Sequence, residues 1–202
     1  MKPILFNTEM VRAILNGRKT VTRRVIDVPQ GFRFLGWNMD SGDDIQYGEC
    51  TFISDNGMTQ IVRKPKYNIR DVLYVRETWS THYTAESNGE IMYCYKADGL
   101  DLKAECLPGE NNRWYPSIHM PKKAARLFLR VTNVRVERLQ DITEYQAKRE
   151  GVENRGRFKT LWNSTIKKSE IDKYGWNTNP FVFVYEFEVI SKDEAMEIGG
   201  TL

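Results

Sequence analysis

The chain has little of what would tie it at sight to a metal, a cofactor or a membrane. Its 202 residues include two histidines and three cysteines, Cys50, Cys94 and Cys106. No two cysteines have the close spacing of metal ligands, and His82 and His119 stand too far off in sequence to complete a zinc motif. Neither a metal site nor a cofactor is expected. The odd, widely spaced cysteines argue against a disulfide framework, so reduced thiols and a cytoplasmic setting are expected. No apolar run is long enough to cross a membrane, and Met1 to Asn7 lacks the apolar core of a signal peptide. Excess charge is scarce as well. Lys and Arg number 30 against 27 Asp and Glu, a net of +3, so bulk charge names no partner and any basic surface must come from local clustering.

What is present is an ordinary globular composition, 41% hydrophobic and 28% charged, in a chain long enough to bury a real core. One domain over 1–190 with a tail at 191–202 is expected. Five Trp and ten Tyr stand out. Aromatics carry much of a core, and in a cleft they stack on bases. Apolar alternation predicts strands at Ile4–Phe6, after residue 20 to Ile26, Val72–Glu77, Ile91–Lys96, Leu127–Leu139 and Phe181–Ile190. Helical spacing appears over Glu9–Asn16 with Thr8 as N-cap, after a Thr143–Gln146 capping box, and through Phe158, Trp162 and Ile166. Residues 27–70, rich in Gly, Asp, Asn and Pro, read as a loop or hairpin insertion, and 99–113 as a polar loop. Six or seven strands without regular strand–helix alternation predict an α+β fold built on a small β-barrel of about six strands with flanking helices.

One stretch concentrates chemistry: Gly17-Arg18-Lys19-Thr20-Val21-Thr22-Arg23-Arg24. Gly17 falls where a helix ends in the left-handed conformation that glycine enters without steric cost. Beyond it, Lys19, Val21 and Arg23 alternate with Thr20, Thr22 and Arg24, so in extended backbone Thr22 and Arg24 share a face. Four cations and two hydroxyls after a turn suit a phosphate or another polar ligand; a solvated basic turn is the plain alternative. Further candidates are Glu77 at a strand end, set against a salt-bridge role, and His119 between two prolines, set against a structural histidine.

The signature Gly-Arg-Lys-Thr-x-Thr-x-Arg, together with Ser117-Ile-His-Met-Pro121 and Leu139-Gln-Asp-Ile-Thr143, resembles the ASCH-domain family of the PUA-like superfamily, in the longer form found in phages and prophages. Matching stretches run in the family's order from Lys2 to Val189 and cover roughly two-thirds of the chain. The resemblance implies a PUA-like barrel with helices around a cleft. It also implies two functions of different class. Small bacterial members are amidohydrolases that deacetylate N4-acetylcytidine, and their catalytic group falls on Lys19, Thr22 and Glu150. Other members bind RNA or are ribonucleases. A cleft floored by Arg18, Lys19, Arg23 and Arg24, with Glu77, His119, Trp79 and Trp114 around it, would hold a nucleoside or single-stranded RNA. One departure is visible. The family's Pro-Gly-Asp turn ahead of the Asp71–Glu77 strand reads Ile69-Arg70-Asp71 here, which predicts a reshaped turn.

Overall fold

A computed structural model describes residues 1–39, 47–82, 92–102 and 113–199. Within these the chain divides into two compact units, each assembled from separated segments. Residues 1–17, 72–129 and 189–202 make the first, and 18–71 with 130–188 the second.

In the first unit, strand β1 (Lys2–Leu5) runs parallel to β6 (Val72–Arg76), with Ile4 beside Val75. Asn7, not Thr8, caps helix α1 (Thr8–Leu15): its side chain accepts from the Met10 amide. Either type can cap; Asn7 holds the extended backbone that an N-cap needs, and Thr8 is already helical. Gly17 has φ 69°, and its amide closes the helix onto the Ile14 carbonyl, as its place in sequence predicts. β7 (Trp79–His82) and β8 (Met92–Tyr95) form a hairpin. The proline pair around His119 encloses a 3-10 turn at Ser117–His119. The expected tail contains a helix, here α5 (Lys192–Gly199), whose Ala195 is fully buried.

In the second unit, β9 (Phe128–Arg138, entering from the first unit), β10 (Phe181–Ile190) and β2 (Val21–Val25) lie in that order, with β2 at the edge. The insertion is a three-stranded antiparallel meander, β3 (Phe32–Met39), β4 (Tyr47–Ser54) and β5 (Gln60–Arg63). The Thr143–Gln146 capping box forms and starts α2 (Glu144–Arg149), which ends against Gly151 in the left-handed region. Asn154 caps α3 (Arg155–Thr165), and α4 (Ile171–Tyr174) follows. Val21, Val182 and Val184 from the strands meet Leu139, Ala147, Phe158, Trp162 and Trp176 in one buried cluster. Each large side chain there contributes about 1.5–3 kcal/mol through removal from water. The Trp162 indole N–H donates to the Tyr174 carbonyl at 2.8 Å, so burial leaves it no orphan donor.

The fold is α+β, with ten strands and five α-helices among the described residues. The expected barrel is not found: among the described residues no sheet closes on itself. Alternation marks strands, but closure depends on edge pairing. The outer side of the chain just ahead of β2 is taken by helix α2's end, through a bridge between Lys19 and Glu150 and a bond from the Thr20 amide to the Arg149 carbonyl. The strand count exceeds the expected six because the insertion supplies three strands and β7, the partner of the expected strand β8, a fourth.

The Ile69-Arg70-Asp71 turn passes through the left-handed region. Arg70 takes φ 70°, the region that glycine occupies without strain. The Asn68 amide donates to Asp71 Oδ2 at 2.7 Å, and the Arg70 amide to the Val131 carbonyl at 2.8 Å. Those bonds hold an L residue where its Cβ is disfavoured by about 1–2 kcal/mol. Arg70→Gly is expected to raise unfolding free energy by about 0.5–1 kcal/mol in urea titration, the relief of strain exceeding the added chain entropy. A loss of stability would mean that Arg70 sits there without strain.

Candidate functional site

The basic turn leads into β2, and the alternation expected from sequence is observed. Lys19 and Arg23 reach one set of partners; Thr22 and Arg24 reach another. Lys19 is 1% exposed. Its Nζ donates to the Val21 carbonyl at 2.8 Å, the Glu150 carbonyl at 3.0 Å and Glu150 Oε2 at 2.6 Å. All three ammonium protons therefore have acceptors within the protein. Glu150, at the end of α2, is held from its other oxygen by Arg23 Nη1 at 3.0 Å. Arg23, its side chain fully buried, also donates to Glu137 Oε2 at 3.0 Å, and its Nε has no partner among the described residues.

The network continues along the sheet. Arg135 joins Glu137 to Glu186, and Arg149 bonds both Glu186 and Thr20. Desolvating charges costs several kcal/mol per ion, which is recovered only where hydrogen bonds are nearly complete; here carboxylates and guanidiniums interleave. Burial pushes the Lys19 amine below its ordinary value; the contact with Glu150 opposes that, and Arg24 and Arg23 add to it.

On the other side of β2, Thr22 Oγ1 accepts from Arg24 Nη1 at 2.7 Å, and the same nitrogen donates to the Arg23 carbonyl. Thr22 is 1% exposed, whereas Arg24 is half-buried. Directly across the ladder from these two residues stand Tyr185 and Phe183. The Tyr185 ring meets Tyr67 edge-on at 5.2 Å, and its oxygen accepts from the Lys66 amide at 3.0 Å. Burial drives the Tyr185 hydroxyl up to about 12, so it remains protonated.

Of the residues singled out by sequence, Lys19, Glu150 and Arg23 are thus in direct contact, and Thr22 pairs with Arg24. Arg18 is exposed and donates to the Gly151 carbonyl at 3.2 Å. Glu77, Trp79, Trp114 and His119 belong to the first unit. Glu77, 1% exposed, makes a two-pronged pair with Arg126, which also grips Asp98 and lies 3.9 Å from the centre of the Tyr95 ring. Its partner is therefore not an arginine of the signature. Trp79 lies half-buried between Tyr93 and Tyr115; Trp114 is half-buried and His119 exposed.

Glu137, Glu186, Tyr67 and Tyr185 were not signalled by motif. The carboxylates Glu186 and Glu188 inside the apolar run of β10, and the Arg135–Glu137 spacing in β9, are the traces that point to an ion-pair network. Cys50 and Cys94 are buried and form no disulfide among the described residues, and burial holds the Cys50 thiol up at about 11; Cys106 lies outside the described residues. Among the described residues no cluster of three or more His, Cys, Asp or Glu is placed to hold a metal, and no helix is long and apolar enough to cross a membrane.

The Glu77 pair makes a pH prediction. Burial holds its carboxyl above the ordinary 4.5, with Arg126 opposing. Between 4.5 and the higher folded value the native state keeps a proton that the unfolded state has lost. Glu77's contribution to stability therefore falls as pH rises through that window. The stability difference between wild type and Glu77→Gln, from urea unfolding over about pH 4 to 7, is expected to shrink as pH rises; a growing difference would reverse the assignment.

No family model matches the chain, and no curated protein or solved structure matches it either.

Proposed function

We propose that the protein is an amidohydrolase acting on N4-acylated cytidine nucleosides, with Lys19, Thr22 and Glu150 as its reacting groups. The proposal keeps the ASCH resemblance of the Gly17–Arg24 signature as its frame. The observation that carries it is the buried 2.6 Å contact between Lys19 Nζ and Glu150 Oε2, beside the strand that bears Thr22. Transfer of one proton across that contact turns an ammonium–carboxylate pair into an amine and a carboxylic acid, a base and an acid side by side. Thr22 Oγ1 lies on the other side of β2 from that amine and is held there by Arg24, so the step requires the two side chains to meet across the strand; the amine then takes the Thr22 proton as Oγ1 bonds to the acyl carbon. The C–N bond then breaks, and the acid gives its proton to the departing N4 amine. Repetition with water in place of Thr22 returns the hydroxyl and releases the carboxylic acid. Arg24, which donates to Thr22 Oγ1, stabilises negative charge as it develops on that oxygen.

A second reading, a nucleotide- or RNA-binding module without turnover, is favoured by a different observation. Every Lys19 proton already has an acceptor, and Thr22 already accepts from Arg24. The test is incubation of purified protein with N4-acetylcytidine and chromatography of the products. Formation of cytidine and acetate supports the hydrolase. Absence of turnover across a panel of N4-acylcytidines, with binding of single-stranded RNA that weakens steeply as salt rises, supports the second reading.

A further inference from the structure

The insertion at 27–70 contributes side chains to the same sheet face as Thr22 and Arg24. Opposed residues of an antiparallel pair project to one face, so Tyr185 and Phe183 share the face of their partners Thr22 and Arg24. Onto that face the insertion adds Trp37 from β3, its ring 6.1 Å from Phe183 and tilted by 35°. Following β5, it also adds Tyr67, against Tyr185. Phe183 and Tyr185 are themselves 6.1 Å apart. The result is one file of rings, Trp37, Phe183, Tyr185 and Tyr67, next to a guanidinium and a hydroxyl. Tyr67, Tyr185 and Phe183 are buried, and Trp37 at the end of the file is half-buried. The Lys66 amide bonded to Tyr185 ties the insertion's end to the sheet, and preorganisation of this kind reduces the ordering cost of binding.

We propose that Trp37 is a specificity-determining residue, and that the insertion makes the Thr22–Arg24 face select ligands with a flat ring, a pyrimidine nucleoside being the class that fits. The chemistry is complementary. An aromatic surface stacks on a base whatever its sequence identity, and an arginine takes a base carbonyl or a phosphate oxygen. The proposal rests on reading that face as a ligand site, but it requires no turnover and holds under either function above.

The test is calorimetric titration of the intact protein with cytidine, and with ribose 5-phosphate as a ligand without a base. Wild type and Trp37→Phe, which keeps a flat ring, are expected to bind cytidine alike. Trp37→Leu, which keeps an apolar side chain without a π face, is expected to bind cytidine about tenfold or more weakly while leaving ribose 5-phosphate unchanged. Cytidine binding by Trp37→Leu equal to wild type, with Arg24→Met still weakening it, overturns the role of Trp37 and leaves the ligand face standing. Failure of wild type to bind cytidine overturns both.

Discussion

Lys19→Met is expected to lower unfolding free energy by about 3–5 kcal/mol, because it leaves a carboxylate in a dry site with one cation where it had two. For a chain of this length that is a fall in melting temperature on the order of 10 °C. Glu150→Leu alone should cost at least as much, since it strands a buried ammonium. The informative variant is the double one. With both charges gone, Arg23 keeps Glu137 at 3.0 Å, no isolated charge remains at the Lys19 position, and apolar side chains fill the space. Much of the loss should return, so the two single effects should exceed the double effect by about 1–3 kcal/mol. Strictly additive losses would mean that the pair is solvated and contributes little, against the near-complete burial of both partners. The cycle is read by urea unfolding and needs no substrate.

Thr22→Val should separate chemistry from architecture. The two side chains have nearly the same shape, so the change removes one oxygen and orphans one Arg24 donor, a cost of about 1–3 kcal/mol. If Thr22 is the nucleophile, kcat/KM on N4-acetylcytidine should fall by about 10³-fold or more, as it does when a nucleophile is lost from a set of groups that act together. Binding of the product cytidine should change far less. Retention of activity in Thr22→Val would shift the attack to a water molecule and leave Lys19 and Glu150 as its base and acid. Loss of cytidine binding in proportion to activity would make Thr22 a binding group.

Much of this site was legible before any coordinates. The alternation Lys19, Val21, Arg23 against Thr22, Arg24 requires only extended backbone, and the two sets do find separate partners. The Thr143 capping box and the left-handed glycine at residue 17 are local signals and hold locally. Glu150 could be placed only through resemblance, yet its carboxylate meets Lys19. What did not read through is non-local. Alternation cannot say that β2 ends a sheet instead of closing a barrel, because closure depends on what occupies the far side of the chain beside it. Nor could the Gly, Asp, Asn and Pro content of residues 27–70, which marks a loop or hairpin insertion, reveal that Trp37 and Tyr67 return to the face of Thr22. Trp79 and Trp114 stand next to turns in the sequence, a feature that says nothing about which rings cover them. Trp79 proves to be packed between Tyr93 and Tyr115.

The bridge between Lys19 and Glu150 also bears on how this protein behaves in a crowded solution. An outermost strand offers a row of amides and carbonyls to any other chain, the starting point of intermolecular sheet growth. Ahead of β2 that row is occupied: the Thr20 amide goes to Arg149, and the Lys19 ammonium folds back onto the Val21 carbonyl. A second copy approaching here would have to displace a buried charge before it gained its first ladder bond. The buried pair of Lys19 and Glu150 thus stands where intermolecular strand pairing would have to begin.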